Sequence, residues 1–367
     1  MEFRPKPERY SRTADTIFSH SVLARLKFAV VGAGALGNEV VKALGLLGAG
    51  SVLIIDPDEV ELSNLSRSVF FRPRDCEHPK AEVLAHSLAD IFPNTRWRFH
   101  HAEIADVGAG ELADLDLLFS CTDNELARVE TAWLSLRLDI PVSDGGLGGP
   151  DYWRGRVSFF RGRESACFCC KLSPTARRWA LRDAHSTGQS CWSEGVTSAL
   201  PSTPTMAAII GSLQVDFGLR CWTELQSVAT RKSDSLTLEI SLDREAELRR
   251  FTTSLCVECP LHRPADYLSA PLPHADATAR ELLDALKMEC VEFDWPVCVA
   301  ARCLRCQATW RPMKRLGWLR RRGACPDCGA RAIREDENLS GLSRSSAWAD
   351  TPLIKLGLPQ SHHYMVH

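Results

Sequence analysis

Residues 27–56, KFAVVGAGALGNEVVKALGLLGAGSVLIID, constrain the fold more than any other stretch of the chain. Residues 27–32 read as a buried strand. Gly32, Gly34 and Gly37 follow in G-x-G-x-x-G spacing. Glycines permit a tight turn and let the backbone come close to a phosphate. The next residues read as a helix closed by Gly48 and Gly50, and its N-terminus favours negative charge. A second apolar strand, residues 51–56, ends on Asp56, 19 positions beyond Gly37. That is about where a ribose-binding acid stands in a nucleotide-binding unit. Strand, glycine loop, helix, strand and acid in this order point to a nucleotide, without choosing between NAD and ATP.

The alternation continues. Residues 78–93 read as a helix stopped by Pro93, 95–104 and 116–124 as strands, 125–138 as a helix, and 140–146 as a short strand. Such alternation predicts an α/β fold with a mostly parallel sheet and helices on both faces. After residue 146 the pattern changes. Residues 155–160 and 235–241 predict antiparallel additions to the sheet, and 203–219 a strongly apolar helix. Residues 171–202 carry no clear period. The expected organisation is one domain over 1–265, a connecting helix and strand over 266–299, and a small cysteine-bearing module over 300–367.

Composition narrows the partners. A formal net charge of −2 over 367 residues is not that of a general nucleic-acid binder. The polar start and the absence of a long apolar run predict a cytoplasmic protein with no membrane span. The 15 cysteines include eight in four C-x-x-C pairs: Cys167/Cys170, Cys256/Cys259, Cys303/Cys306 and Cys325/Cys328. Two-residue spacing turns both thiolates toward one tetrahedral ion, and zinc is favoured. Cys303, Cys306, Cys325 and Cys328 form C-x2-C-x18-C-x2-C, a zinc-ribbon spacing. The loop between those knuckles carries Arg311, Lys314, Arg315, Arg320, Arg321 and Arg322 with Trp310 and Trp318. It reads equally as a docking surface and as the solvated exterior of a small zinc-stapled fold. Cys76, Cys121, Cys221, Cys290 and Cys298 stand alone and are expected in the core.

The residues after Asp56 favour ATP. Arg67 and Lys80 add two cations, Asn64 a neutral donor, and Asp123 a carboxylate at the carboxyl end of a strand, where open α/β sheets bind ligands. Splitting a phosphoanhydride needs cations and a metal carboxylate, because charge builds on the departing pyrophosphate. Hydride transfer needs neither. The rival readings are an NAD-dependent oxidoreductase and a non-catalytic scaffold, which would have no need of Arg67, Lys80 and Asp123.

RYSR (9–12), VVGAGALG, DPDEVELSNLSR, HPKAE and CTDN (121–124) stand in this order, followed by CFCC (167–170), SCWSEGV (190–196), IIGSLQ (209–214) and CVEC (256–259). This ordered set resembles the ThiF/MoeB and ubiquitin-activating-enzyme superfamily over roughly residues 9–260. The resemblance implies a Rossmann-like domain that adenylates the C-terminal glycine of a ubiquitin-like protein with ATP and Mg2+. By matching positions it implies that Gly32, Gly34 and Gly37 hold phosphates and Asp56 the ribose. Asn64, Arg67 and Lys80 would hold phosphates, and Asp123 would organise magnesium. Arg12 would reach the ATP of the other protomer of a homodimer. Cys167, Cys170, Cys256 and Cys259 would form a structural zinc site, making two zinc ions per chain with the ribbon. Cys191 aligns with a cysteine that captures the acyl group as a thioester in some members. Transfer to a carrier enzyme or a sulfur acceptor would follow; other members stop at adenylation.

Overall fold

The computed structural model describes residues 10, 19–148, 153–177, 203–227, 234–243, 245–262, 266–269, 276–358 and 363–366. Arg12 and Cys191 lie outside the described residues. The described residues fall into two compact units. One takes those within 1–105, 112–173 and 196–262, the other those within 106–111, 174–195 and 263–367.

The first unit is built on an eight-stranded sheet. Its strands are β1 Lys27–Val31, β2 Ser51–Ile55, β3 Arg96–His100, β4 Leu117–Ser120, β5 Val142–Leu147, β6 Arg154–Phe160, β7 Ser235–Ser241 and β8 Glu247–Thr253. They lie in the order β3-β2-β1-β4-β5-β6-β7-β8. The pairs β3–β2, β2–β1, β1–β4 and β4–β5 are parallel. From β5 onward every pair is antiparallel. The central strands are covered on both faces, so β1, β2 and β4 read as continuous apolar runs; Val30, Ile54 and Phe119 are all 0% exposed. The edge strand β8 is ELRRFTT, exposed along nearly its whole length, and it has no alternation that sequence patterning could detect.

Two glycines fix the first turn. Gly32 has φ +100°, and a Cβ there would lie 2.6 Å from the Cys121 carbonyl oxygen. A Cβ on Gly37 would lie 1.9 Å from the Gly32 carbonyl oxygen. The loop therefore closes onto the start of helix Ala35–Leu47 only with glycine at both positions. Helix Pro204–Ser227 runs eight residues past the end expected at 219. Its Gln214, 0% exposed, donates to the carbonyls of Ser120 at 3.0 Å and Ser143 at 2.8 Å. That side chain satisfies one buried backbone carbonyl on each of β4 and β5.

The second unit has its own core of Leu282, Leu283, Val291, Val299, Leu353 and Leu356. Helix Ala279–Leu286 opens with a capping box: the Thr278 hydroxyl accepts from Glu281 N, and the Glu281 carboxylate accepts from Thr278 N. Strand Cys290–Cys303 pairs antiparallel with Ile333–Ser343, the ladder running from Cys290 opposite Ser343 to Cys303 opposite Ile333. The sequence placed a boundary at residue 300; the structure runs one strand through it, so connector and cysteine module share a sheet and a core. Cys290, expected buried, is exposed at the start of this strand, while Cys121, Cys221 and Cys298 are buried. Among the described residues no helix is long and apolar enough to cross a membrane.

Candidate nucleotide site and metal centres

Register brings together residues that the sequence assigns to a nucleotide. Val31 lies opposite Ile55 on β2 and opposite Ser120 on β4. Gly32, Asp56 and Cys121 therefore leave three adjacent parallel strands at the same carboxyl edge. The backbone stitches this edge: Gly32 N donates to Ile55 O at 2.8 Å, and Cys121 N donates to Val31 O at 2.7 Å. The crevice between β1 and β4, where the chain order reverses, is where such sheets hold ligands.

Asp56 is buried at 6% exposure and accepts from Ala33 N at 2.7 Å and Asp58 N at 2.8 Å. Burial pushes its carboxyl pKa up; nearby Lys80 and the two backbone N–H groups pull against that. The carboxylate thus pins the glycine loop to the end of β2. Gly34 precedes helix Ala35–Leu47 with no capping side chain, and a Cβ at Gly34 would meet nothing within 4 Å. The space beside Gly34 at this helix start would admit a phosphate.

Lys80 begins helix Lys80–Ile91. Its ammonium group lies 3.3 Å from the Asp58 carboxylate, and its side chain is 11% exposed. Arg67 is half-buried and donates to Ser63 O at 2.9 Å. Asn64, 6% exposed, spends its side chain locally: its carbonyl oxygen accepts from Glu61 N at 3.0 Å and its amide donates to the Ser63 hydroxyl. In this structure Asn64 shapes the turn Leu62–Ser66 that carries Arg67.

Asp123 is exposed beyond β4, accepting from the Asn124 side-chain amide at 3.4 Å. Asn124 also caps helix Glu125–Leu138, accepting from Ala127 N at 2.8 Å. Sequence reading missed what braces this tip. Arg128, 8% exposed, pairs with the buried Asp144 and donates to the carbonyls of Thr122 and Gly145. A cation one turn into the helix that follows a strand tip is the signal that could have found it.

The first unit also holds a metal-ligand set. The donor atoms of Cys167, Cys170, Cys259 and His262 lie within 4.8 Å of one another. Cys167 Sγ is 3.8 Å from Cys170 Sγ and 3.7 Å from Cys259 Sγ. Cys170 Sγ is 3.5 Å from His262 Nε2. A disulfide would be about 2 Å. A tetrahedron with metal–sulfur bonds of about 2.3 Å has edges of about 3.8 Å, so the donors fit zinc. Hydrogen bonds from Cys167 and then Cys259 hold the Cys170 thiol far below its ordinary value, while the other two thiols are raised. The fourth donor close to the other three is His262, where the resemblance implied Cys256. Cys256 presents its backbone N–H to the Cys170 sulfur instead.

The second unit gathers Cys303, Cys306, Cys325 and Cys328, as their spacing predicts. Cys303 Sγ lies 3.6 Å from Cys328 Sγ, and Cys306 Sγ lies 3.5 Å from Cys325 Sγ. Two matched turns present them: Gln307 N donates to Cys303 O at 3.0 Å and Gly329 N to Cys325 O at 2.9 Å. Backbone N–H groups, Cys306 first and then Arg305, bring the Cys303 thiol down to about 6, ready to ligate as thiolate. The basic loop is largely absorbed by its own unit. Arg315, 5% exposed, pairs with Asp106 at 2.8 Å. Arg320 pairs with Glu335 at 2.8 Å. Arg311 lies over Trp348 and Lys314 over Trp318. Trp310 and Trp318 pack against Cys298, Ala301, Leu316 and Leu319. These contacts favour the zinc-stapled reading of the loop over a docking surface.

Comparison with known proteins follows the same outline. Residues 13–253 match the model of the ThiF family. A SUMO-activating enzyme subunit 2 from Dictyostelium discoideum is 29% identical over 178 residues, 47% of this chain and 26% of that protein. A ubiquitin-like modifier-activating enzyme 5 from Xenopus laevis is 31% identical over 160 residues, 39% of this chain and 38% of that protein. The chain thus spans well under half the length of these curated relatives. Among solved structures, E. coli MccB with MccA-N7isoASN superposes with TM-score 0.52 at 16% identity, covering 70% of this chain and 77% of that one. E. coli MccB with ATP gives TM-score 0.51, covering 70% and 74%. At that identity the likeness is one of fold.

Proposed function

The chain belongs to the ThiF family, and on that premise we propose that it uses ATP to adenylate the C-terminal carboxylate of a ubiquitin-like protein. The observation that supports this most is the meeting of the glycine loop, Asp56, Lys80 and Asp123 at the carboxyl ends of β1, β2 and β4, with Arg67 held on the adjoining turn. The curated relatives carry names of ubiquitin-like activating enzymes.

In this reading the backbone N–H groups after Gly34 and the side chains of Arg67 and Lys80 receive the phosphates, and Asp56 accepts the ribose hydroxyls. A substrate carboxylate oxygen attacks the α-phosphorus; the bond from that phosphorus to the bridging oxygen breaks, and pyrophosphate leaves with its electrons. Lys80 exchanges Asp58 for the departing anion, which places positive charge where negative charge grows. Asp123 would hold magnesium, whose contribution is to offset charge on the pyrophosphate. Arg128, through Thr122 O and Gly145 O, keeps the Asp123 tip and β5 in register. Zinc in the two sulfur-rich sets would tie distant segments together and take no part in the chemistry. Reduced thiolate ligands suit a cytoplasmic location.

Two finer steps belong to the same proposal. The Cys191 thiolate attacks the acyl carbon of the adenylate, the bond from that carbon to the phosphate oxygen breaks, AMP leaves, and the resulting thioester serves a carrier enzyme or sulfur acceptor. Arg12 serves the ATP of a second protomer in a homodimer. The decisive experiment is exchange of labelled pyrophosphate into ATP, with and without a ubiquitin-like protein ending in Gly-Gly. Exchange should require that protein and survive Cys191→Ala, while the thiol-cleavable adduct should disappear. Exchange without any carboxylate partner would refute the substrate class.

A further inference from the structure

The segment CVECPLH, residues 256–262, contains two overlapping pairs with two-residue spacing, Cys256/Cys259 and Cys259/His262. Either pair could complete a tetrahedral set with Cys167 and Cys170, since histidine nitrogen and cysteine sulfur are both good zinc donors. The backbone treats the two alike: Cys259 N donates to Cys256 O at 3.0 Å, and His262 N donates to Cys259 O at 3.1 Å. Side-chain position separates them. Residues Pro260–His262 form a tight helical turn, and it returns the imidazole to within 3.5 Å of Cys170 Sγ. The mutually close set is Cys167, Cys170, Cys259 and His262.

We propose that the zinc site of the first unit is held by three thiolates and one imidazole, with His262 as the fourth ligand and Cys256 outside the ligand set. This rests on the structural-zinc reading above and alters its ligands and charge. Three thiolates and a neutral imidazole around Zn2+ leave one net negative charge rather than two. Cys256 then contributes through its backbone, an N–H aimed at the Cys170 sulfur, the kind of outer-shell hydrogen bond that steadies a ligand. Its half-buried thiol is dispensable for the metal.

The test uses the full chain, loaded with zinc for metal content and with cobalt for absorption spectra. Cys256→Ser keeps the backbone N–H. It should retain two ions per chain and the wild-type thiolate-to-cobalt charge-transfer intensity. His262→Ala should bind one ion fewer, or, if Cys256 swings in, keep the ion with the intensity raised by one thiolate. Should that variant fold poorly, His262→Cys keeps a donor there and should hold both ions with the same one-thiolate rise. Loss of an ion or of intensity in Cys256→Ser would overturn the assignment, as would an unchanged spectrum in His262→Cys. Failure of the structural-zinc reading looks different: the wild type itself would bind a single ion, at the ribbon.

Discussion

The nucleotide edge and the four-cysteine set of the second unit are both polar sites on a scaffold, but they are assembled in opposite ways. Gly32, Asp56 and Asp123 come from three separate strand ends and meet because β1, β2 and β4 are in parallel register. Cys303 to Cys328 come from one short stretch, presented by two turns that need a shared ion to stay together. The nucleotide edge is paid for by the buried sheet beneath it and should hold its shape without ligand. The ribbon's unit has apolar cover in Leu316 and Leu319, but the four sulfurs stand on two separate turns and the set should depend on metal.

The largest expected effect breaks the first half of that contrast at its backbone. Gly37→Val forces a side chain onto the Gly32 carbonyl, where even a Cβ would stand at 1.9 Å. It should destabilise the first unit by more than about 4 kcal/mol, seen as loss of its thermal transition and of ATP binding together. Removing metal from the second unit comes next. Cys325→Ser, or a strong chelator, should collapse near-ultraviolet signal from Trp310 and Trp318 while ATP affinity stays within about two-fold. A matching fall in ATP affinity would show that the contrast drawn here is false.

Smaller changes sharpen the comparison within the nucleotide edge. Lys80→Ala removes a cation proposed for the leaving group and should slow pyrophosphate exchange by about 100-fold or more. Its effect on stability should be small beside that on rate, because its direct partner Asp58 is 48% exposed. A large loss of stability with little loss of rate would make Lys80 structural. The smallest effect is on pH. The raised pKa of Asp56 means that stability from this group is present below its ordinary value of 3.8 and lost as pH rises through the folded-state pKa. Nucleotide affinity should move the other way, since the ionised form is the better acceptor of ribose hydroxyls. Affinity should begin to weaken on acidification at a pH above 3.8. Asp56→Asn should flatten that profile.

The parallel half of the sheet was legible because its strands are buried on both faces and punctuated by glycines that only one backbone path allows. The residues proposed for the nucleotide stand out for a related reason: Gly32 and Asp56 sit one position past a readable strand, Asp123 three, and Lys80 starts a readable helix. What escaped was set by tertiary contact. Arg128 and Gln214 look like ordinary helix residues until their partners on β4 and β5 are known. His262 was hidden by Cys256, whose spacing to Cys259 is the commoner signature, and only the turn at Pro260–His262 decides between them. The continuity across residue 300 was not legible because composition shifts along strand Cys290–Cys303, while the strand stays paired with Ile333–Ser343 on both sides of that point through several register shifts.

The central claim is that the carboxyl edge of β1, β2 and β4 is an ATP site. Equilibrium binding measures it most directly, titrating ATP with magnesium, and NAD separately, into the wild type and Asp56→Ala. ATP should bind the wild type with magnesium dependence, bind Asp56→Ala at least about ten-fold more weakly, and leave NAD without measurable binding. Saturable NAD binding that Asp56→Ala abolishes, with no binding of ATP, would contradict the account.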